Sequence, residues 1–198
     1  MSFDFFADGR AHGGLDSEQY LQLMAEQAEA DPAGLDEEAV QRIEYTRLNL
    51  HRTRRIERTY RPDEELARLV RAIDRPQLWM VLTEPWCGDS AQCLPHLAVL
   101  AGLNPAITLR LILRDTNLDI MDHFLTGTSR SIPRLVAFAE DGEVVFQWGP
   151  RPAAAQEVFD QARAEGLAKP ELLERLHLFY GRNRGRALED EFIALLKG

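Results

Sequence analysis

Cysteine is scarce in this sequence. Only two occur in 198 residues, Cys87 and Cys93, six positions apart. Two cysteines make no disulfide framework, so the chain is expected in a reducing, cytoplasmic setting. Lysine is nearly absent as well. Arginine supplies 21 of the 23 basic residues, which reads as a coding bias rather than a function. Positive charge is not in excess either. A net charge of −9 argues against nucleic acid as a partner, since phosphate binding needs a basic surface. No run approaches the 18 apolar residues of a spanning helix, so no membrane partner is expected. The opening MSFDFFADGR lacks the basic region and apolar run of a secretory leader. No internal repeat or low-complexity tract occurs. What remains is the composition of a soluble globular protein, with length for one embellished domain or two small ones.

Periodicity divides the chain into three stretches. Residues 1–14 read as a loose lead-in. Asp16 or Ser17 caps a predicted helix through about Ala30, with Tyr20, Leu21 and Met24 on one face. After ADPAG, a long helix is predicted from Leu35 to about Tyr60, its acidic start suiting the positive helix end. RPDEELARLVRAI reads as a third helix with Pro62 near its start. Charge is segregated here: eight acids and no lysine or arginine lie between Ala11 and Gln41, then seven arginines and two glutamates between Arg42 and Arg61. Two readings stand: solvated faces that partly neutralise each other, or an arginine-lined surface for an anionic thiol or partner.

The pattern then changes. QLWMVLTE and AITLRLILRD are strand candidates flanking a helix that begins at the Trp86–Cys87–Gly88 turn and ends near Gly102. LDIMDHFLTG reads as a helix stopped by Gly127. IPRLVAFAEDGEVVFQWG reads as two strands joined at Asp141–Gly142. RPAAAQEVFDQARAEG is helical, and two further helices are predicted over about Pro170–Tyr180 and Ala187–Lys197. The order implies a parallel pair joined through a helix, plus an antiparallel hairpin.

Trp86–Cys87–Gly88 on the first strand-to-helix turn, Pro95 eight residues after Cys87, and Ile132–Pro133 opening the hairpin together resemble the thioredoxin superfamily, over roughly Gln77 to Gly166. TEPWCGDSAQ, RSIPRL, WGPRP and GRALEDEF, with the helical N-terminal stretch, are similar to a bacterial group of thioredoxin-like proteins across most of the chain. The resemblance implies an α/β thioredoxin-like fold: a helical extension over 1–76, the thioredoxin-like domain over 77–166 and a C-terminal helical extension over 167–198. It also implies that the Ile132–Pro133 peptide is cis and faces Cys87.

A cysteine at a helix N-terminus has its thiolate stabilised, and the thiolate is the attacking form. Cys87 is therefore the candidate nucleophile; the alternative is an inert cysteine on an inherited fold. Ser90 stands at the i+3 position, which suits a disulfide in spacing but cannot form one. The Cys-x-x-Ser turn resembles monothiol members of the superfamily, whose mixed disulfide is cleared by an outside thiol. That resemblance implies no bound cofactor, a low-molecular-weight thiol or a reductase as electron donor, and a thiol or disulfide substrate, protein or small molecule. Asp89 and Glu84 either raise the Cys87 pKa, with Glu84 also able to transfer a proton, or are solvated turn acids. Val81 stands where thioredoxin buries an aspartate. Arg130 is placed to meet a substrate carboxylate. Cys93 lies too far along the helix to bridge Cys87 without unwinding. It shares a row with Leu97 and Leu100 and reads as a buried hydrophobe, with a resolving role as the alternative. His96 and His123 lack metal-ligand spacing, so no metal site is expected. Three functions follow: a monothiol thiol–disulfide oxidoreductase; a non-catalytic thioredoxin-fold adaptor; and, with least weight because Glu84 stands where such peroxidases carry threonine, a thiol peroxidase resolved by Cys93.

Overall fold

The computed structural model describes residues 3–197. A four-stranded mixed sheet forms the centre: β1 (Gln77–Thr83), β2 (Ile107–Leu113), β3 (Arg134–Ala139) and β4 (Val144–Trp148), in spatial order β2-β1-β3-β4. β1 runs parallel to β2 and antiparallel to β3, while β3 and β4 form the hairpin. β1 is apolar on both faces because it is central and covered on both sides. Trp79 and Val81 point to one core; Leu78, Met80 and Leu82 point to the other.

The first core is closed by helices from both ends of the chain. α2 (Ser17–Glu29), α3 (Glu37–Thr59), α4 (Glu64–Arg71), α5 (Gly88–Ala101) and α9 (Arg186–Lys197) contribute Tyr20, Leu50, Leu66, Leu97 and Phe192. α2 starts at a capping box in which the Asp16 side chain accepts from Gln19 N and Gln19 accepts from Asp16 N. α3 starts on Asp36, whose carboxylate accepts from Ala39 N at 2.8 Å. α7 (Ala153–Ala164) and α8 (Lys169–Asn183) complete the C-terminal side. α5 contains Pro95.

The second core differs from the sequence expectation at two places. The stretch 1–14 is not loose where it is described. α1 (Asp4–Ala7) carries Phe5, 2 % exposed, into a cluster with Phe3, Phe124 and Phe138. Aromatic burial there anchors the segment, and Leu15 pairs with Leu111 at the sheet margin. The helix expected through Gly127 is only α6 (Leu118–Met121). It stops because the next bonds are i→i+3, from His123 and Phe124, which turn the Phe124 ring into the cluster, while Asp122 leaves to pair with Arg130.

Candidate active site

β1 ends at Thr83 and α5 begins at Gly88, so the connecting turn delivers Cys87 as the N-cap residue of α5. The turn is closed by Cys87 N donating to Glu84 O at 3.0 Å. The Ile132–Pro133 peptide, immediately before β3, is cis and lies against the cysteine. Cys87 Sγ donates to Ile132 O at 3.4 Å.

Cys87 is not exposed, contrary to what a helix start suggests. It is 9 % accessible, and burial followed by the charge of Asp89 pushes its thiol from 9.0 up to about 11. The hydroxyl of Ser90 and the backbone N–H groups of Ser90 and Asp89 act in the opposite direction. The helix-start effect is therefore present but outweighed by desolvation. Ser90 is itself buried and accepts from Thr83 Oγ1 at 2.8 Å; Thr83 Oγ1 lies 3.2 Å from the Tyr20 hydroxyl. With Thr83 donating to Ser90, Tyr20 donates to Thr83. Three buried hydroxyls thus line up toward the sulfur, the first supplied by α2.

Asp89 is not a solvated turn acid. It is buried, accepts from Arg151 Nη2 and from the Tyr180 hydroxyl at 2.6 Å each, and Arg151 is only 14 % exposed. Arg151 comes from the turn after the Gly149–Pro150 peptide, which is also cis. Glu84 is buried too and accepts from Asp115 N at 2.7 Å; burial raises its pKa. The guanidinium groups of Arg42 and Arg114 each lie 5.2 Å from the Trp86 ring. Trp86 Nε1 is buried without a hydrogen-bond partner among the described residues.

Arg130 is exposed, with its fork on the equally exposed Asp122 carboxylate at 2.6 and 2.8 Å. Cys93 is 1 % exposed within the Leu97/Leu100 core, and both cysteines are free thiols. His96 is buried, packs edge-on against Tyr60 and is held neutral, its pKa lowered by burial to about 4. His123 sits at the exposed margin of the phenylalanine cluster. No group of three or more metal-ligating side chains occurs among the described residues.

Several residues at the turn were not singled out from the sequence. Asn49 of α3 donates to Pro85 O at 3.0 Å, and Arg52 donates to Asn49 Oδ1. His177 of α8 packs on Gly88 so closely that a Cβ there would lie 2.9 Å from its Cε1. Asn49 carried a signal. It falls on the inner row of α3 with Thr46 and Thr53, polar residues buried where apolar ones belong.

The arrangement of strand, thiol turn, helix and facing Ile-Pro loop decides the relationship. A thioredoxin family profile matches residues 36–163, well over half of the chain. The chain belongs to this thioredoxin family. No curated protein matches. Among solved structures, an HIV epitope-scaffold aligns over 95 % of both chains at 17 % identity with a TM-score of 0.59. A protein of unknown function from Pseudomonas aeruginosa aligns over 93 % of this chain and 98 % of its own, at 19 % identity and a TM-score of 0.54. At such identities these two likenesses speak for the fold alone.

Proposed function

We propose that the protein is a monothiol thiol–disulfide oxidoreductase acting through Cys87. The observation that carries the reading is the opposed pair at the sulfur. On one side, the Ser90 hydroxyl and two N–H groups stand ready for a thiolate; on the other, Ile132 O receives the thiol proton. In the first step Cys87–SH and a disulfide R–S–S–R′ give the mixed disulfide Cys87–S–S–R and R′SH. The S–S bond of the substrate breaks, and the cysteine proton leaves with the departing sulfur. An outside thiol R″SH then attacks the substrate sulfur, giving R–S–S–R″ and restoring Cys87–SH. R′ leaves reduced and the outside thiol ends oxidised, in a disulfide with R, so a low-molecular-weight thiol or a reductase is the required donor. Ser90 supports the transient thiolate. Trp86, Gly88, Ile132 and Pro133 shape the approach, and Arg130, exposed two residues before Ile132, is there for a substrate carboxylate. The division into 1–76, 77–166 and 167–198 belongs to this reading, with both extensions covering the turn, as does a cytoplasmic place of action.

The test is turnover of a hydroxyethyl disulfide in the presence of excess small thiol, wild type against Cys87→Ser. Thiol-dependent turnover by the wild type that the variant lacks is the expected result. Equal rates in both, or none in the wild type, overturn the reading.

A second reading, a non-catalytic adaptor, draws on the burial of Cys87. With the thiol at about 11, on the order of one molecule in a few thousand is ionised near pH 7.5. A wild type that alkylates no faster than this fraction allows, and turns over no disulfide, fits the adaptor.

A further inference from the structure

On the α5 side away from the Ile132–Pro133 loop, a cavity of about 610 Å³ opens between the end of α3 and the α8–α9 junction. That volume lies within the range of small-molecule sites. Its walls hold Arg55 and Arg61 from one segment, and Arg184 and Arg186 from another more than 120 residues later. None of these four pairs with a carboxylate among the described residues; Arg61 Nη1 donates instead to the backbone carbonyls of Arg58 and Tyr60. The one carboxylate in the wall, Glu189, already accepts from the Tyr60 hydroxyl and from Asp63 N, both at 2.9 Å. A chain with a net charge of −9 thus gathers four uncompensated guanidinium groups around one concavity.

The floor is different in character. Tyr60, Tyr180 and a neutral His96 lie there, with Tyr60 and His96 ring centroids 4.3 Å apart. The arginine-bearing turn closes down on this floor because of its backbone. Arg184 has φ 56°, the one non-glycine residue at positive φ among those described, and Gly185 follows at φ 92°. A Cβ at Gly185 would lie 2.5 Å from His96 Nε2, so the turn reaches its place only with glycine there. The first turn of α9, starting at Arg186, opens on the same rim and adds its positive end.

We propose that this cavity binds a small phosphate-bearing organic anion, with the phosphate on the Arg55, Arg61, Arg184 and Arg186 rim and the organic body on the Tyr60 and Tyr180 floor. Guanidinium forks from two separate segments favour phosphate over carboxylate. A carboxylate's two oxygens are used by one fork, whereas a phosphate's further oxygen reaches a second. The site is separate from Cys87 and requires none of its chemistry.

The test is isothermal titration calorimetry on the full chain with ADP, inorganic pyrophosphate and citrate, at about 50 mM salt so that screening stays modest. ADP should bind one per chain, more tightly than pyrophosphate, with citrate weakest. Arg55→Gln with Arg184→Gln should weaken ADP at least about tenfold, and Arg10→Gln, on the far side of the sheet, should not. Gly181→Glu keeps all four arginines. Gly181 lines the cavity on α8, and its Cβ would meet nothing within 4 Å, so this variant folds and should abolish binding by adding a carboxylate at the mouth. Cys87→Ser should bind as the wild type does, whatever becomes of the disulfide reading. No heat with any of the three anions overturns the proposal, as does citrate binding tightest. So does ADP binding unchanged in both cavity variants, which would leave these arginines as complements to the ends of α3 and α8. Pyrophosphate binding as tightly as ADP removes the tyrosine floor from it.

Discussion

Ser90→Ala isolates the groups that favour a Cys87 thiolate. Burial and Asp89 hold the thiol at about 11, and the Ser90 hydroxyl is the strongest of the groups pulling it down. That hydroxyl is free to point at sulfur because its oxygen already accepts from Thr83, which in turn is fed by Tyr20. A hydrogen bond to a charged group is worth about 1.5–3 kcal/mol. One pH unit of pKa corresponds to about 1.4 kcal/mol, so losing the bond should raise the Cys87 pKa by a further one to two units, roughly. Well below the pKa the thiolate fraction sets the rate, so alkylation at fixed pH should slow about 10- to 100-fold. The assay is iodoacetamide labelling across pH 7 to 11, with the Cys87 and Cys93 peptides quantified separately by mass spectrometry. Thr83 loses its acceptor in the variant, which should cost about 1–3 kcal/mol in a melting experiment. Below the pKa the lost bond shows as a parallel slowing at every pH, so wild-type rates across the range refute the hydroxyl relay.

Asp89→Asn should lower the Cys87 pKa by about one unit, because a like charge is removed while Arg151 stays. It should also cost about 3–5 kcal/mol by leaving Arg151 unpaired in a nearly buried site; a stable variant with an unshifted alkylation profile contradicts both. Folding raises the Cys87 pKa from 9.0 to about 11, so its stabilising contribution is complete below about pH 9 and is lost as pH rises through 11. The stability difference between wild type and Cys87→Ser, from urea curves at pH 8 and pH 10.5, should therefore shrink by about 2 kcal/mol, and a constant gap counts against the raised pKa. Ser90→Cys should form a disulfide between the introduced thiol and Cys87 on mild oxidation, since i and i+3 positions lie about 5–6 Å apart; free thiols at both positions after oxidation contradict the helix start at Gly88.

Local chemistry made much of the fold legible. QLWMVLT, apolar from Leu78 to Leu82, was readable as a strand candidate and is the central strand β1. Asp141–Gly142 marked the hairpin, and Asp16 or Ser17 the start of α2. The turn carrying Cys87 and Ser90 was equally readable. The environment of that turn was not. Tyr20, Asn49, Arg151, Tyr180 and His177 reach it from 36 to 91 positions away, through contacts with Thr83, Pro85, Asp89 and Gly88. Periodicity reports which face of a helix is buried, not what lies opposite. The same gap explains the two reversals of charge logic. Asp89 and Glu84 look like solvated acids beside a turn until Arg151, Tyr180 and the Asp115 N–H are placed against them. Cys87 looks like an activated thiol until α3 and α8 close over it.

Ionisation of Cys87 reverses the hydrogen-bond demand of the site, and this links reactivity to the kind of substrate. As a thiol, Cys87 donates to Ile132 O; as a thiolate it accepts from the Ser90 hydroxyl and from the N–H groups of Ser90 and Asp89. The change leaves Ile132 O without a donor in a buried position, which costs about 1–3 kcal/mol. A substrate that places its own N–H on that carbonyl removes the cost and so favours the thiolate. An extended peptide lying along Ile132–Pro133 has such an N–H; hydroxyethyl disulfide does not. On the oxidoreductase reading, a cysteinyl peptide disulfide should react about 10-fold or more faster than hydroxyethyl disulfide, since about 1.4 kcal/mol is a factor of ten. N-methylation of the peptide bonds flanking its cysteine should erase most of that advantage. Equal rates for the methylated and unmethylated peptides would mean that Ile132 O finds its donor elsewhere, and that burial of Cys87 is overcome by movement of α3 or α8 instead.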